Sequence, residues 1–91
     1  MSFPKHVLDA IRDRADLAAM IGAVLTLRRE GRDLVGCCPF HNEKSASFHV
    51  TPSTGLYHCF GCGEGGGVFE WVQKREGVSF PDAVRKLAAE L

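Results

Sequence analysis

The fold of this chain is decided by the stretch CCPFHNEK at residues 37–44 and by CFGC at residues 59–62. The first contains a C-x2-H pair and the second a C-x2-C pair, and residues 42–58 separate the two pairs. Two tight turns at this separation are typical of a tetrahedral zinc site, because each turn directs two ligands from one side at a common point. The predicted metal ligands are Cys38, His41, Cys59 and Cys62.

Zinc is the metal that this set of donors favours. Three thiolates and one imidazole in a tetrahedral array suit Zn²⁺, whereas an iron–sulfur cluster usually takes four cysteines. Four protein ligands would also close the coordination sphere and leave no position for an activated water. We therefore expect one structural Zn²⁺ ion and no catalytic metal.

Cys37 competes with Cys38 as the ligand from the first pair. Adjacent residues of an extended chain point to opposite sides, so both thiols cannot reach one ion without distortion. Cys38 keeps the two-residue spacing to His41, and we favour it, leaving Cys37 as a small buried hydrophobe or an inert thiol. Three histidines remain as surface or packing residues, with contact to a ligand left open for the last of them: His6, His49 and His58.

The composition describes a small globular chain in which an added staple is plausible. The 91 residues are 45% hydrophobic and 24% charged, with eleven basic and eleven acidic side chains. A chain of this length buries only about 60 to 65% of its unfolded surface, so its core is small. The net charge of zero argues against a protein that coats duplex DNA, and any nucleic-acid contact must come from a local patch.

Neither a targeting segment nor a membrane-spanning segment is predicted. The apolar run at residues 17–25 follows Asp9, Asp13 and Asp16, where a secretory signal carries positive charge. The run is also shorter than the roughly 20 apolar residues that a membrane-spanning helix requires. We therefore expect a cytoplasmic location without a membrane partner, where clustered cysteines hold metal more often than they form disulfides.

Capping signals and hydrophobic periodicity predict helices at both ends of the chain. The N-terminal pair comprises a helix capped by Ser2 and a second helix, residues 17–23, capped by Asp16. The C-terminal pair comprises residues 68–75 and a last helix capped by Ser79. Strands are predicted between these pairs at residues 24–28, 32–37, 47–50 and 56–59, with turns at Glu30-Gly31 and at residues 51–55.

The predicted fold class is α+β. A small antiparallel β-sheet of the zinc-ribbon type, with zinc at one end, is flanked by short N-terminal and C-terminal helices. Because no internal repeat or long linker divides the chain, we expect a single zinc-binding domain over residues 1–91. Its parts are a helical lead-in at residues 1–24, a zinc ribbon at 25–64 and C-terminal helices at 65–91.

A surface that mixes cations with aromatic rings is predicted beside the zinc turns. The residues concerned are Arg28, Arg29, Arg32, Lys44, Phe48, Tyr57 and His58. Such a surface suits single-stranded nucleic acid, because rings stack on bases at about 1 to 3 kcal/mol each while cations contact phosphates. The alternative carries equal weight: Phe48 and Tyr57 fill the core of a thin sheet, and the arginines belong to a solvated hairpin.

The glycine-rich segment GCGEGGG, residues 61–67, invites comparison with phosphate-binding loops. Glycine amides at a helix start bind anions well. The segment nevertheless lacks the lysine and hydroxyl of a P-loop, and it fits no dinucleotide-binding fingerprint. A flexible exit from the zinc turn is the favoured interpretation. Because no pair of nucleophile and base is recognisable in the chain, no catalytic residue is predicted.

Three motifs resemble the N-terminal zinc-binding domain of bacterial replicative DNA primase (DnaG-type). They are CPFHNEKSASF at residues 38–48, YHCFGCGEGG at 57–66 and the basic hairpin LRREGRDLVGC at 27–37. The resemblance covers nearly the whole chain and implies the same four metal ligands. It also implies recognition of single-stranded DNA by the basic and aromatic residues named above. The family usually has Thr-Pro-Ser-Phe where this chain has SASF at residues 45–48, and the missing proline should loosen the loop beside Lys44.

The function that the resemblance implies is template recognition during RNA primer synthesis in DNA replication. In that family a separate catalytic RNA-polymerase domain makes the primer, so this chain alone is expected to be inactive. The implied partners are the single-stranded DNA template, the catalytic domain and, through the longer protein, the replicative helicase. The alternative from another class is a zinc-stabilised protein-interaction module that docks through its apolar final helix.

Overall fold

The computed structural model describes residues 3–40 and 46–91. Over these residues four helices accompany a five-stranded antiparallel sheet of strand order β1-β2-β3-β4-β5. The predicted α+β class is therefore confirmed. The helices are α1 (Lys5–Arg14), α2 (Leu17–Gly22), α3 (Val68–Glu76) and α4 (Phe80–Glu90), and the strands are β1 (Arg28–Glu30), β2 (Asp33–Gly36), β3 (Phe48–Thr51), β4 (Leu56–Cys59) and β5 (Gly65–Gly66).

The N-terminal helices begin at two different kinds of cap. Pro4 occupies the N-cap of α1 without a side-chain hydrogen bond, and the predicted cap Ser2 lies outside the described residues. The cap of α2 is confirmed, because the backbone N–H of Ala19 donates to Oδ1 of Asp16 at 3.0 Å. A side-chain cap of this kind contributes about 1 kcal/mol to helix stability.

The C-terminal helices follow the local signals closely. Helix α3 ends at Gly77, whose left-handed φ of 64° lets its N–H donate to the carbonyl of Gln73 at 2.9 Å. Ser79 then caps α4, with its Oγ accepting from the backbone N–H of Asp82 at 3.3 Å. The predicted stop and the predicted cap are both confirmed.

The first hairpin starts later than predicted. Val24 and Leu25 donate their N–H groups to the carbonyl of Ile21 at 3.0 and 2.9 Å, so they extend the last turn of α2 instead of starting a strand. Strand β1 consequently begins at Arg28, and the turn shifts to residues 31–32. The prediction of a strand at residues 24–28 is wrong except for its last residue.

Strand β5 was not predicted, because its residues lie in the glycine-rich segment that was expected to be a flexible exit. Gly65 pairs with His58 and Gly66 with Tyr57 in an antiparallel ladder. A Cβ atom on Gly65 would lie 2.9 Å from the carbonyl oxygen of Tyr57, which is too close for any side chain. The expectation of a flexible exit is therefore wrong for these two residues.

The alternation of side chains gives the sheet two distinct faces. The inner face carries Phe48, Val50, Tyr57 and Cys59, all buried. It packs against the helices in one apolar core to which α1, α2, α3 and α4 all contribute. The opposite side, called the outer face below, carries Asp33, His49, Thr51, Leu56 and His58.

No helix in the described part of the chain has the length and apolar character needed to cross a bilayer. The longest, α4, has 11 residues, and it buries Ala83, Val84 and Leu87 against the rest of the protein. The helices therefore serve the core of this fold.

Candidate metal centre

Three cysteine sulfurs converge at one end of the sheet. Cys38 follows β2, Cys59 ends β4, and Cys62 lies in the turn beyond it. Their Sγ atoms all lie within 4.8 Å of one another, and the Cys38–Cys62 separation is 3.8 Å. Two thiolates bound to a tetrahedral zinc ion at a Zn–S distance of about 2.3 Å would be about 3.8 Å apart. The Cys38–Cys62 separation therefore equals that of two zinc-bound thiolates, and the third sulfur lies close by.

Backbone hydrogen bonds fix the turn that carries two of these sulfurs. Gly63 donates its N–H to the carbonyl of Cys59 at 2.8 Å, which closes the turn. The N–H of Cys59 donates to the carbonyl of Glu64 at 2.7 Å, and that of Phe60 to the carbonyl of Ser47 at 2.9 Å. The turn is thereby attached to the chain on both sides, and its ligand atoms are held in place by the sheet.

Burial and hydrogen bonding shift the pKa values of two of the clustered thiols in opposite directions. Burial raises the pKa of the Cys38 thiol to about 12. Burial also opposes ionisation of Cys59, but hydrogen bonds from the backbone of Cys62 and from the side chain of Ser47 outweigh it and lower the pKa of that thiol to about 7. The protein alone thus favours the thiolate form of Cys59 and opposes that of Cys38. A divalent cation beside these sulfurs would stabilise both as thiolates.

The structure brings together the three predicted cysteines and leaves Cys37 out of the cluster. Cys38 is buried and points to the other two sulfurs, whereas Cys37 is exposed. The alternation of an extended chain explains why the two neighbours differ. The description of Cys37 as a small buried hydrophobe is therefore wrong. His41, the fourth predicted ligand, lies outside the described residues.

Two of the predicted nucleic-acid contacts are core residues instead. Phe48 is 0% and Tyr57 3% exposed, and their rings stack at a centroid distance of 5.3 Å on the inner face. They alternate with residues of the outer face, so the sheet register that exposes His58 must bury both of them. Neither ring can stack on a base while the fold is intact, and the alternative that they fill the core is correct.

The remaining predicted contacts are distributed around the first hairpin. Arg28, Arg29, Arg32 and His58 are all exposed, and Lys44 lies outside the described residues. Arg28 pairs with Val35, and Val35 with His49, so this arginine belongs on the side of the outer face. Its guanidinium forms an exposed ion pair with Glu30 at 3.3 Å.

Sequence reasoning missed Phe60, which lies inside the C-x2-C turn. Its side chain is 70% exposed, and its ring centroid is 4.9 Å from that of His49 and 4.7 Å from that of His58. A signal was available, because a large apolar residue between two inward-pointing ligands has no route to the core. The aromatic rings on the outer face are therefore those of His49, His58 and Phe60, whereas Phe48 and Tyr57 lie on the inner face.

Comparison with known proteins gives consistent matches. The sequence profile described as the CHC2 zinc finger matches residues 3–91. The DNA primase of Mycobacterium tuberculosis is 58% identical over 80 residues, which are 87% of this chain and 12% of that protein. The DNA primase of Listeria monocytogenes is 44% identical over 85 residues, which are 93% of this chain and 14% of that protein. This chain therefore corresponds to a small part of the length of these relatives.

A solved structure matches as well. The crystal structure of the Aquifex aeolicus primase, comprising zinc-binding and RNA polymerase domains, superposes with a TM-score of 0.86 at 34% sequence identity. The superposition covers 99% of this chain and 22% of that one. Because the sequence match runs from residue 3 to residue 91 and the same region has the sulfur cluster of a zinc finger, this chain belongs to the CHC2 zinc-finger family of DnaG-type DNA primases.

Proposed function

We propose that this chain binds one structural Zn²⁺ and presents single-stranded DNA template for RNA primer synthesis in DNA replication. The observation that carries the proposal is the cluster of three sulfurs in a fold shared with a primase zinc-binding domain. We further propose that residues 1–91 form a single zinc-binding domain. The proposed ligands are Cys38, His41, Cys59 and Cys62.

The bound metal would act as a cross-link between distant parts of the sheet. Cys38 follows β2 and Cys59 ends β4, and these two strands are not neighbours because β3 lies between them. An ion held by both strands would fix the end of the sheet and neutralise the thiolates. With four protein ligands the zinc would supply structure and no reactive water.

The proposed template surface is the outer face together with the exposed arginines of the first hairpin. Exposed cations contact the phosphates of a single strand, and exposed rings stack on its bases. The net charge of zero means that the binding strength depends on this local patch.

The proposed partners are inferred from the relatives, which are much longer than this chain and include a further domain. The matched Aquifex chain contains an RNA polymerase domain in addition to its zinc-binding domain. We propose that the present module works with such a catalytic domain in the cytoplasm, and through the longer protein with the replicative helicase. The module itself would hold template while the catalytic domain joins nucleotides.

The rival proposal, a protein-interaction module that docks through the final helix, has less support. The apolar face of α4 is already used, because Ala83, Val84 and Leu87 are buried in the core. A partner could reach that face only by unfolding the domain.

A salt titration tests template binding. The zinc-loaded protein is titrated with a fluorescent single-stranded oligonucleotide at several salt concentrations. The logarithm of affinity should fall by about 0.7 per decade of salt for each phosphate contacted. Arg32→Ala should lower that slope by about 0.7 if Arg32 contacts one phosphate. Arg75→Ala, an exposed arginine of α3, is the matched control and should leave the slope unchanged. Absence of binding to any single strand would contradict the proposed function.

A further inference from the structure

Phe60 is the most exposed aromatic ring in the described part of the chain. The residue is 70% exposed, whereas the other described phenylalanine, tyrosine and tryptophan rings are buried or half-buried. Phe60 lies outside the apolar core, so most of its ring surface is open to a ligand. The ring follows β4 and lies against residues of the outer face.

The backbone of Phe60 is held firmly. Its N–H donates to the carbonyl of Ser47 at 2.9 Å, and it lies between the two sulfur-bearing residues of the C-x2-C turn. The ring is therefore presented from a fixed point of the sheet. Little conformational entropy is lost when such a pre-positioned ring binds a flat ligand.

Two imidazole rings fix the orientation of the Phe60 side chain. The His58 ring meets it at an interplanar angle of 70° and the His49 ring at 88°, both in edge-to-face geometry. Aromatic pairs in this geometry contribute about 0.5 to 1.5 kcal/mol beyond their buried area. With 70% of the side chain still exposed, much of the ring remains open to a flat aromatic ligand.

His49 is itself held by a hydrogen-bonded chain across β2 and β3. The hydroxyl of Thr51 donates to Oδ1 of Asp33 at 2.8 Å, and Oδ2 of Asp33 lies 3.2 Å from Nδ1 of His49. The side chains of Asp33 and His49 are only 32% and 25% exposed. This chain of contacts starts at Thr51 and ends at the Phe60 ring.

We propose that Phe60 is the residue on which a base of the template strand stacks, and that Asp33 and His49 position its ring. The inference rests on the proposed function. It names a single strand as the occupant because stacking needs a base that is not already stacked in a duplex. Arg28, on the same side of the sheet, supplies a cation whose exposed pairing with Glu30 is weak enough to exchange for a phosphate.

The test compares a single strand that carries bases with an abasic strand of equal length. Binding of each to zinc-loaded protein is measured by fluorescence anisotropy. Phe60→Ala should weaken binding of the base-containing strand about fivefold to 150-fold and leave binding of the abasic strand unaffected. Phe60→Trp should keep the affinity, and the introduced indole should be quenched on binding. Val24→Ala, which removes an exposed apolar side chain from the last turn after α2 and outside the outer face, should change the affinity less than twofold.

The positioning role needs a separate readout. Asp33→Asn should weaken binding of the base-containing strand severalfold. The affinity for the abasic strand, the dependence of affinity on salt and the zinc content should stay unchanged. A loss that affects both strands equally would overturn the positioning role of Asp33. Unchanged affinity in Phe60→Ala, with binding otherwise intact, would overturn the stacking inference and leave template binding standing. A protein that binds no single strand at all would overturn both.

Discussion

Tyr57 is buried by the same alternation that leaves its neighbours exposed. The ring is 3% exposed, and its hydroxyl has no hydrogen-bond partner within residues 3–40 and 46–91. Burial raises the pKa of this phenol from an ordinary value of 10.0 to about 12, with the negative charges of Glu70 and Glu64 acting in the same direction. The residue is therefore a core component whose neutral form the folded state prefers.

The alkaline titration of Tyr57 can be measured without interference, because it is the only tyrosine in the chain. The unfolded state loses the phenolic proton near pH 10.0, and the folded state retains it until about 12. Stability should therefore fall as the pH rises through that window, since the unfolded state binds fewer protons. Ultraviolet absorbance of the tyrosinate should appear only at the upper end of the window.

The control for this titration is Tyr57→Phe. The variant should lose the absorbance change and show a smaller loss of stability at alkaline pH, while the ring still fills the core. An ordinary titration near pH 10.0 in the zinc-loaded, folded protein would contradict the burial of the hydroxyl.

At the level of secondary structure, short strands depend on close approach of their backbones. Strand β5 has two residues, both glycine, and it pairs with β4 along Tyr57 and His58. Such a strand has little apolar surface of its own, so its ladder is held by main-chain hydrogen bonds and by the absence of side chains. Glycine is required at Gly65 because a side chain there would collide with β4, although the sequence alone suggested only a flexible segment.

A pair of identical substitutions tests this requirement. Gly65→Ala should destabilise the zinc-loaded protein by about 1 to 3 kcal/mol, because its Cβ would lie 2.9 Å from a backbone oxygen. Gly22→Ala, in helix α2 with no atom within 4 Å of its Cβ, should instead be neutral or stabilise by about 0.4 to 1 kcal/mol. Urea unfolding at a fixed free-zinc concentration measures both. Equal effects of the two substitutions would show that β5 can move away freely.

Considered as a whole, the molecule joins one apolar core to one sulfur cluster. The core includes residues of all four helices, and Cys38 and Cys59 are counted among its buried members. The proposed metal site is thus continuous with the core. Loss of the metal should therefore also disturb the packing of the sheet against the helices.

Removal of zinc should unfold the region around residues 36–64. Structural zinc in small domains contributes about 10 to 16 kcal/mol of apparent binding free energy, comparable to the whole stability of an ordinary domain. Circular dichroism before and after chelation measures the loss. A spectrum unchanged by complete removal of the metal would contradict this expectation.

Adjacent cysteines provide a matched control for the metal site. Cys38→Ser should reduce zinc affinity strongly, because its sulfur belongs to the cluster. Cys37→Ser should retain one equivalent of zinc and the folded spectrum, because Cys37 lies outside that cluster. Elemental analysis of both purified variants gives the metal content. Equal loss in the two variants would contradict the assignment of Cys38 over Cys37.

The sequence by itself determined the features that depend on residues close together in the chain. The caps at Asp16 and Ser79 and the helix end at Gly77 each involve residues within a few positions, and all three are observed. The spacing of the C-x2-H and C-x2-C pairs likewise predicted a cluster, and the fold brings its three cysteines together. The α+β class followed from these local signals and from the apolar periods of 2 and 3.6 residues.

Only the tertiary structure decided which face of the sheet is covered and which strands pair. A two-residue period states that Phe48 and His49 lie on opposite faces, but the packing of the helices determines that Phe48 is the buried one. The pairing of β5 and the contacts from Asp33 to Phe60 join residues far apart in sequence. Local sequence patterns do not specify which distant residue a side chain will contact. These contacts are therefore set by the way the turns and helices pack on the sheet.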